Sequence, residues 1–217
     1  ALAALEEEQF LFQGSQSGFY GPFQFVGPLT AFLLSWSIST DVSYDSTAFA
    51  LHVATGVRGA DDRLGRALAC LSFALPVVVL FSVGPFFFTG DWDKLPAVLG
   101  LSLGVLFTGL GLASVISARY TVSVPLPGDS PFKKPPGNVA QTLAVQFGGM
   151  AVLIVLVAPE AALVAAQFIT GSPVPGWITL VLGPVLGLAL FAVGIRTGGA
   201  WLDRRAPELL AQLAVNR

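Results

Sequence analysis

Long apolar runs separated by short polar segments constrain the fold of this chain more than any other feature. A helix needs about 20 consecutive, mainly apolar residues to cross the hydrocarbon core of a bilayer. Charged residues make up only 11% of the chain, whereas a soluble domain typically uses about 25%. The apolar surface must therefore face lipid. We predict an all-α, polytopic membrane helix bundle with about five transmembrane spans.

The predicted organisation is a single transmembrane domain. Its segments are, in order, a polar lead-in (1–21), span A (22–39), a cytoplasmic elbow (40–67), span B (68–88), span C (96–117), a cytoplasmic loop (118–138), span D (139–168), span E (177–194) and an amphipathic cytoplasmic tail (195–217). Span D is too long for one straight crossing, and Pro159 removes a backbone donor within it. We therefore expect a break or kink near residue 159.

The cationic side chains predict the orientation, because lysine and arginine accumulate in short loops on the cytoplasmic side. Alternating spans place the cations of the elbow, the 118–138 loop and the tail in one compartment and leave Lys94 in the other. We predict a multi-pass protein of a bacterial cell membrane with a cytoplasmic elbow and tail. An odd number of spans with the amino end outside leads us to expect a further span before Ala1.

The elbow, residues 40–67, is the one long polar stretch between apolar runs. Asp45 is expected to cap a short helix, and Gly56 to end it, because glycine accepts the left-handed backbone of a helix stop. Asp61 and Asp62 then place negative charge at the positive end of a second helix, which enters span B. The sequence predicts a short interfacial helix, a tight turn and a membrane entry, together facing another protein.

Several functional classes are disfavoured by what the sequence lacks. The net charge is −2 and there is no basic tract, so nucleic acid is not an expected partner. No Gly-Lys dipeptide occurs, so nucleotide-driven transport would require hydrolysis in another polypeptide. His52, the one histidine, has no cysteine or second histidine at ligand spacing. We expect no cofactor, no metal site and no enzymatic activity in this chain.

Two features within the spans have competing interpretations. Gly100-x-x-x-Gly104 and Gly183-x-x-x-Gly187 predict close helix packing, although a glycine-lined conduit would leave the same pattern. Glu160 is the only carboxylate inside a long apolar run, and an ionisable group at membrane depth is a candidate for a proton or substrate role. Its alternative position is an interface where span D breaks.

Two stretches resemble a known family. The elbow reads Tyr44-Asp45-x-x-x-Phe49, His52-Val53 and Val57-x-Gly59-x-x-Asp62-Arg63-Leu64-Gly65-Arg66, and the tail reads Gly198-Gly199-x-x-Leu202-Asp203-Arg204-Arg205-x-Pro207-Glu208-Leu209-Leu210. Both resemble permease subunits of ABC exporters of the type-two class, particularly actinobacterial ones. The elbow departs from that family in having serine and valine before Tyr44, where the family often has asparagine and a bulky residue.

The resemblance implies a second permease half or a homodimer partner, driven by a separate ATPase subunit. In that family an aromatic–aspartate pair opens a short coupling helix. Apolar side chains of such a helix can fill a groove on a partner, and arginines can pair with its carboxylates or with anionic lipid headgroups. The predicted ATPase-contact residues are Tyr44, Asp45, Phe49, Leu51, His52, Val53, Arg58, Arg63 and Arg66.

Three alternatives stay open. The elbow could merely cap spans A and B at the interface. The chain could be an ion-gradient-driven secondary transporter with Glu160 as its coupling site, which would predict inverted repeats and paired broken helices. It could also be a structural or assembly subunit of a larger membrane complex.

Overall fold

The computed structural model describes residues 21–45, 48–120 and 139–215, and every regular element in these ranges is helical. The predicted all-α fold is confirmed, with four helices long and apolar enough to cross a membrane. Three predicted features lie outside the described residues: most of the lead-in, most of the 118–138 loop and the last two residues of the tail. The side chains of Phe49 and of residues 210–215 lie outside them too.

Eight α-helices occur in the described residues. They are α1 (Val26–Trp36), α2 (Asp41–Asp45), α3 (Ala48–Ala54), α4 (Gly59–Val83), α5 (Phe86–Thr89), α6 (Leu95–Arg119), α7 (Val139–Thr170) and α8 (Val174–Val215). Short 3-10 helices lie before and after α1, at Gly21–Phe25 and Ser37–Thr40, and a third, Trp92–Lys94, leads into α6.

The central helix is α6, which packs against α1, α4, α7 and α8. Within its most apolar stretch 72% of the residues are buried inside the bundle, compared with 22% to 28% in the other three long helices. The outer faces of those three helices carry exposed large apolar side chains such as Phe73, Phe147 and Val185. This distribution suits helices that turn one face to α6 and the other to lipid.

The first predicted span has a different form from the other four. Span A is an 11-residue α-helix, α1, with 3-10 turns at both ends. The hydroxyls of Ser35 and Ser37 donate hydrogen bonds to the carbonyl oxygens of Phe32 and Leu34. Serine side chains that bind nearby backbone carbonyls compete with the regular helix ladder. In the part of the chain that the structure describes, four helices are long and apolar enough to cross a membrane, and span A, predicted as one of about five, is a shorter helical segment.

The expected break of span D is absent. Helix α7 runs for 32 residues through Pro159; neighbouring helices and local adjustments allow membrane helices to tolerate such a proline. At about 1.5 Å per residue it is about 48 Å long, well beyond a hydrocarbon core of about 30 Å. Span E and the tail, predicted as separate segments, likewise form one 42-residue helix, α8, through Pro184 and Pro207.

Facing glycines bring the backbones of α6 and α8 together. We name this contact the glycine seam; its residues are Gly100, Gly104 and Gly111 of α6 and Gly183, Gly187 and Gly194 of α8. A Cβ atom added to Gly194 would lie 2.5 Å from the carbonyl carbon of Gly111, and one added to Gly187 would lie 3.1 Å from the carbonyl oxygen of Gly104. Small residues permit such an approach, so the packing interpretation of both glycine pairs is confirmed.

The helices gather distant segments at two ends of the bundle. At the far end, Gln24 donates a hydrogen bond to Asp91 at 3.0 Å, and Gln167 donates one to the carbonyl oxygen of Asp93 at 2.7 Å. At the elbow end lie the elbow, the end of α6 and the part of α8 after Gly198. The elbow and the start of the tail thus lie at one end of the bundle, whereas most of the 118–138 loop lies outside the described residues. The common compartment of the three segments and its cytoplasmic assignment stay predictions.

Acidification is expected to weaken the far end slightly. The hydrogen bond from Lys94, together with that from Gln24, holds the pKa of the Asp91 carboxyl below its usual range in spite of partial burial. Such a carboxyl stabilises the fold fully above its unfolded pKa, about 3.9, and this stability is lost as the pH falls through the lower folded value.

Asp91→Asn should therefore remove a small acid-dependent part of the unfolding free energy. The side chains of Lys94 and Asp91 are 35% and 44% exposed, so solvent screening limits the effect to less than about 1 kcal/mol. Unfolding midpoints measured from roughly pH 5 to pH 2 would report it. The exposed neighbour Asp93 supplies the control, Asp93→Asn; an equal effect of both variants would contradict the assignment.

Candidate functional site

The elbow forms largely as its sequence predicts. Helix α3 ends at Ala54, and Gly56 follows in the left-handed conformation with a φ of 68°. Asp61 and Asp62 lie in the first turn of α4. The predicted short helix, turn and second helix are thus confirmed. Asp45 is the last residue of α2, and its carboxylate pairs with Arg66; residues 46 and 47, which precede α3, lie outside the described residues, so its capping role stays a prediction.

Five charged side chains at the elbow form an ion-pair cluster: Asp41 and Asp45 of α2 with Asp62, Arg63 and Arg66 of α4. Arg63 bonds Asp41 through Nη1 at 3.0 Å and Asp62 through Nη2 at 2.5 Å. Arg66 approaches Asp62 through Nε at 3.1 Å and binds the Asp45 carboxylate through both terminal nitrogens.

The ion-pair cluster is largely buried, and this burial makes its pairing important for the fold. The Arg63 side chain is only 1% exposed and that of Asp62 only 7%. A charge removed from water is tolerated only where partners and hydrogen bonds compensate it, and paired guanidinium–carboxylate bonds fix geometry as well as charge. The cluster therefore holds α2 against the first turns of α4 in one arrangement.

Two further contacts join the cluster region to α6 and α8. The hydroxyl of Ser117, near the end of α6, donates to the Asp41 carboxylate and accepts the backbone N–H of Val42 at 3.2 Å. The backbone N–H of Gly59 donates to Oδ1 of Asp203 on α8 at 2.7 Å. The ion-pair cluster thus contacts α6, and the first residue of α4 contacts α8, the two helices of the glycine seam.

A cavity of about 310 Å³ opens beside this junction, between α3, the turn after it, the start of α4 and α8. His52 lies on its wall with Nδ1 3.1 Å from Oδ1 of Asp62. Arg58 and Asp203 add further polar groups to the lining, and Val57 and Leu202 add apolar ones. The mixed lining suits a protein side chain or short segment with both an apolar and a polar part.

Four apolar side chains of the elbow are exposed, and two of them, Val53 and Val57, line this cavity. Leu51 is 65% exposed and Tyr44 64%, followed by Val57 at 47% and Val53 at 38%. We name these four side chains the elbow patch. An apolar patch bordered by polar groups marks a surface suited to a partner or to a membrane interface.

The predicted contact residues divide into two groups. Asp45, His52, Arg63 and Arg66 lie together, and the charges of Asp45, Arg63 and Arg66 are satisfied largely within the chain. Arg63 is not available to a partner in this conformation, because its guanidinium is buried by Asp41 and Asp62. The exposed candidates are Tyr44, Leu51, Val53 and Arg58; the side chain of Phe49 lies outside the described residues.

Sequence reasoning missed three residues of this site: Asp41, Ser117 and Asp203. Asp41 precedes Asp45 by four residues, a spacing that places two carboxylates on one helix face and could have identified it. Ser117 and Asp203 have no such signal, because their role depends on α6 and α8 reaching the same end of the bundle. Among the described residues no cluster of metal-ligating side chains occurs.

The other predicted candidate, Glu160 of α7, lies away from the elbow. Its side chain is fully buried, and a Cβ atom added to Gly104 would lie 3.2 Å from its Oε1 and 3.1 Å from Cα of Gly183. Glu160 therefore faces the glycine seam inside the bundle, rather than an interface at a broken helix.

Comparisons with family models, with curated proteins and with solved structures gave no match for this chain.

Proposed function

We propose that this chain is the membrane-spanning permease subunit of an ATP-driven ABC exporter, coupled through α3 to a separate ATPase subunit. The observation that carries the proposal is the elbow patch: Leu51, at 65% exposure, stands on a short helix whose neighbours are fixed by buried ion pairs. A surface that transmits a movement of the ATPase subunit needs exposed side chains for binding and a rigid support behind them. The resemblance of the elbow and tail sequences to such permeases points the same way.

The contacts behind the patch supply the other half of the proposal. The cluster joins α2 to α4, Ser117 joins it to α6, and Asp203 joins the start of α4 to α8. A partner that moves the elbow would therefore move transmembrane helices. A second permease half, or a second copy of this chain, would complete the translocation unit within the lipid bilayer, in a bacterial cell membrane with the elbow on the cytoplasmic side.

Leu51→Asp should release the ATPase subunit. An anchor in a partner groove contributes about 2 kcal/mol or more to binding, which corresponds to roughly 30-fold in affinity. The measurement is co-purification of an ATP-binding subunit from the native host, followed by the ATPase rate of the complex. The matched control is Val174→Asp, since Val174 is 60% exposed at the far end. An intact, fully stimulated complex with Leu51→Asp would remove the main support for the proposal.

An ion-gradient-driven transporter is the second candidate, and buried Glu160 is the observation that favours it. Such folds place their sites on paired broken helices, whereas α7 and α8 run unbroken through Pro159 and Pro184. We therefore rank it second. Normal transport by a Glu160→Gln protein at every imposed ion gradient would eliminate it.

A further inference from the structure

Glu160 has no role in the proposed coupling to an ATPase, yet its environment is the least expected in the bundle. The side chain has 0% exposure, and neither carboxyl oxygen has a hydrogen-bond partner among the described residues. The carboxyl lies where α7 crosses the glycine seam, beside Gly104 and Gly183. Small residues alone would indicate packing; an unpartnered carboxyl directed into them indicates a binding site.

Among the described residues, no ion pair or hydrogen bond to this carboxyl occurs. Glu160 is the only Asp, Glu, Lys, Arg or His within residues 140–195 of α7 and α8, and residues 95–118 of α6 contain none. Residues 67–89, in α4, α5 and their junction, contribute one titratable group, Cys70, which lies beside Leu34 and Ser37 of the α1 region. On α6 and α8, the polar side chains closest along the chain to Gly104 and Gly183 are those of Ser102 and Thr179, and both are neutral.

Without a cationic partner, an ionised carboxylate at this position would carry a large solvation penalty, whereas a neutral carboxyl would carry a much smaller one. We propose that Glu160 is an intramembrane proton-binding site, which holds a proton while α7 is packed on the glycine seam and releases it when α7 moves away and water enters. This inference is independent of the proposed ATPase partner, because it concerns one carboxyl and its immediate packing.

The two states would be linked by ordinary binding thermodynamics. If the packed state binds the proton more tightly than the open state, protonation favours packing and opening favours release. The ligand is a proton alone, so the site needs no cavity in the packed state. The backbone contact of Gly104 with Gly183 leaves little room for a larger ligand until the helices separate.

Infrared spectroscopy of the full chain in phosphatidylcholine vesicles tests this directly, because a protonated carboxyl and a carboxylate absorb at different frequencies. At neutral pH we expect a protonated-carboxyl band that Glu160→Gln removes and that shifts when D₂O replaces H₂O. Glu208→Gln is the matched control, since the Glu208 side chain is 67% exposed and pairs with Arg205; it should leave the band intact.

Selective labelling of glutamate carboxyls with ¹³C assigns the band to a glutamate and excludes the aspartates. The conservative variant Glu160→Asp, in which the band should lose the isotope shift, keeps the test if Glu160→Gln fails to fold. A glutamate band that is absent at neutral pH would show that Glu160 is ionised and would overturn the proposal. A band that is present but never shifts in D₂O would show a permanently enclosed proton and would reduce Glu160 to a packing residue. Loss of the ATPase complex would leave all of these outcomes unchanged.

Discussion

Replacing Arg63 with alanine should lower the free energy of unfolding by about 3 to 5 kcal/mol, the cost of leaving buried charges without their partner. The guanidinium is 1% exposed and joins Asp41 of α2 to Asp62 of α4. Its removal leaves the 7% exposed Asp62 carboxylate with Arg66 as its remaining arginine partner. Reversible unfolding by denaturant in mixed micelles, followed by circular dichroism, would measure the loss.

Arg58→Ala is the matched control for this experiment. Arg58 belongs to the same elbow, but its side chain is exposed, so its removal should change the unfolding free energy by less than about 0.5 kcal/mol. Arg58 lies on the cavity wall, where the proposed ATPase subunit would contact it. Equal unfolding midpoints for Arg63→Ala and Arg58→Ala would show that the ion-pair cluster is not a buried unit in solution.

The second large effect is expected at the glycine seam. Gly194→Ala places a Cβ atom 2.5 Å from the carbonyl carbon of Gly111 and 2.6 Å from its Cα. These are backbone atoms, so no side-chain rotation relieves the overlap and α6 and α8 must separate. Overpacking of this kind typically costs 1 to 3 kcal/mol, and we expect about 3 kcal/mol because α6 is the central helix. The readout is the same unfolding experiment.

Gly148→Ala makes the same chemical change in α7 with the opposite expectation. A Cβ atom added to Gly148 meets nothing within 4 Å, and alanine favours a helix over glycine by about 1 kcal/mol. This variant should therefore be neutral or stabilised. If Gly194→Ala were as stable as Gly148→Ala, the close backbone approach of α6 and α8 would be wrong.

The sequence predicted those features that depend on local chemistry. Runs of apolar residues predicted the helical membrane fold, Gly56 predicted the end of α3, and Asp61 and Asp62 predicted the start of α4. The glycine pairs of α6 and α8 predicted close packing because the absence of a side chain has the same meaning wherever it occurs.

Features that depend on tertiary contacts were predicted less well. Pro159 indicated a break in span D, but α7 continues through it, because the surrounding bundle can support a helix that an isolated chain would interrupt. The boundary between span E and the tail does not exist in α8: polarity changes along that helix while the backbone continues. A change from apolar to polar residues predicts where a helix leaves the membrane, but it does not predict where that helix ends.

The arginines of the elbow give the clearest case at the candidate site. Sequence spacing placed Arg63 and Arg66 near the start of α4 and offered them to a partner. The partners are instead the chain's own carboxylates, and Asp41, which lies 22 residues before Arg63, supplies one of them. This pairing forms only when the turn between α3 and α4 folds α4 back against α2. A short window of sequence contains only one of the two partners, so it cannot predict the pair.

The unbroken course of α8 has a mechanical consequence. Asp203 receives the N–H of Gly59 at one end, while Gly194 and Gly187, farther along the same rod, touch the main chain of α6 directly. A contact between side chains can absorb a small helix displacement through a change of rotamer. A contact between main chains cannot adjust in this way. A displacement of the first turn of α4 should therefore be transmitted through α8 to the glycine seam with little loss, because these main-chain contacts are stiff.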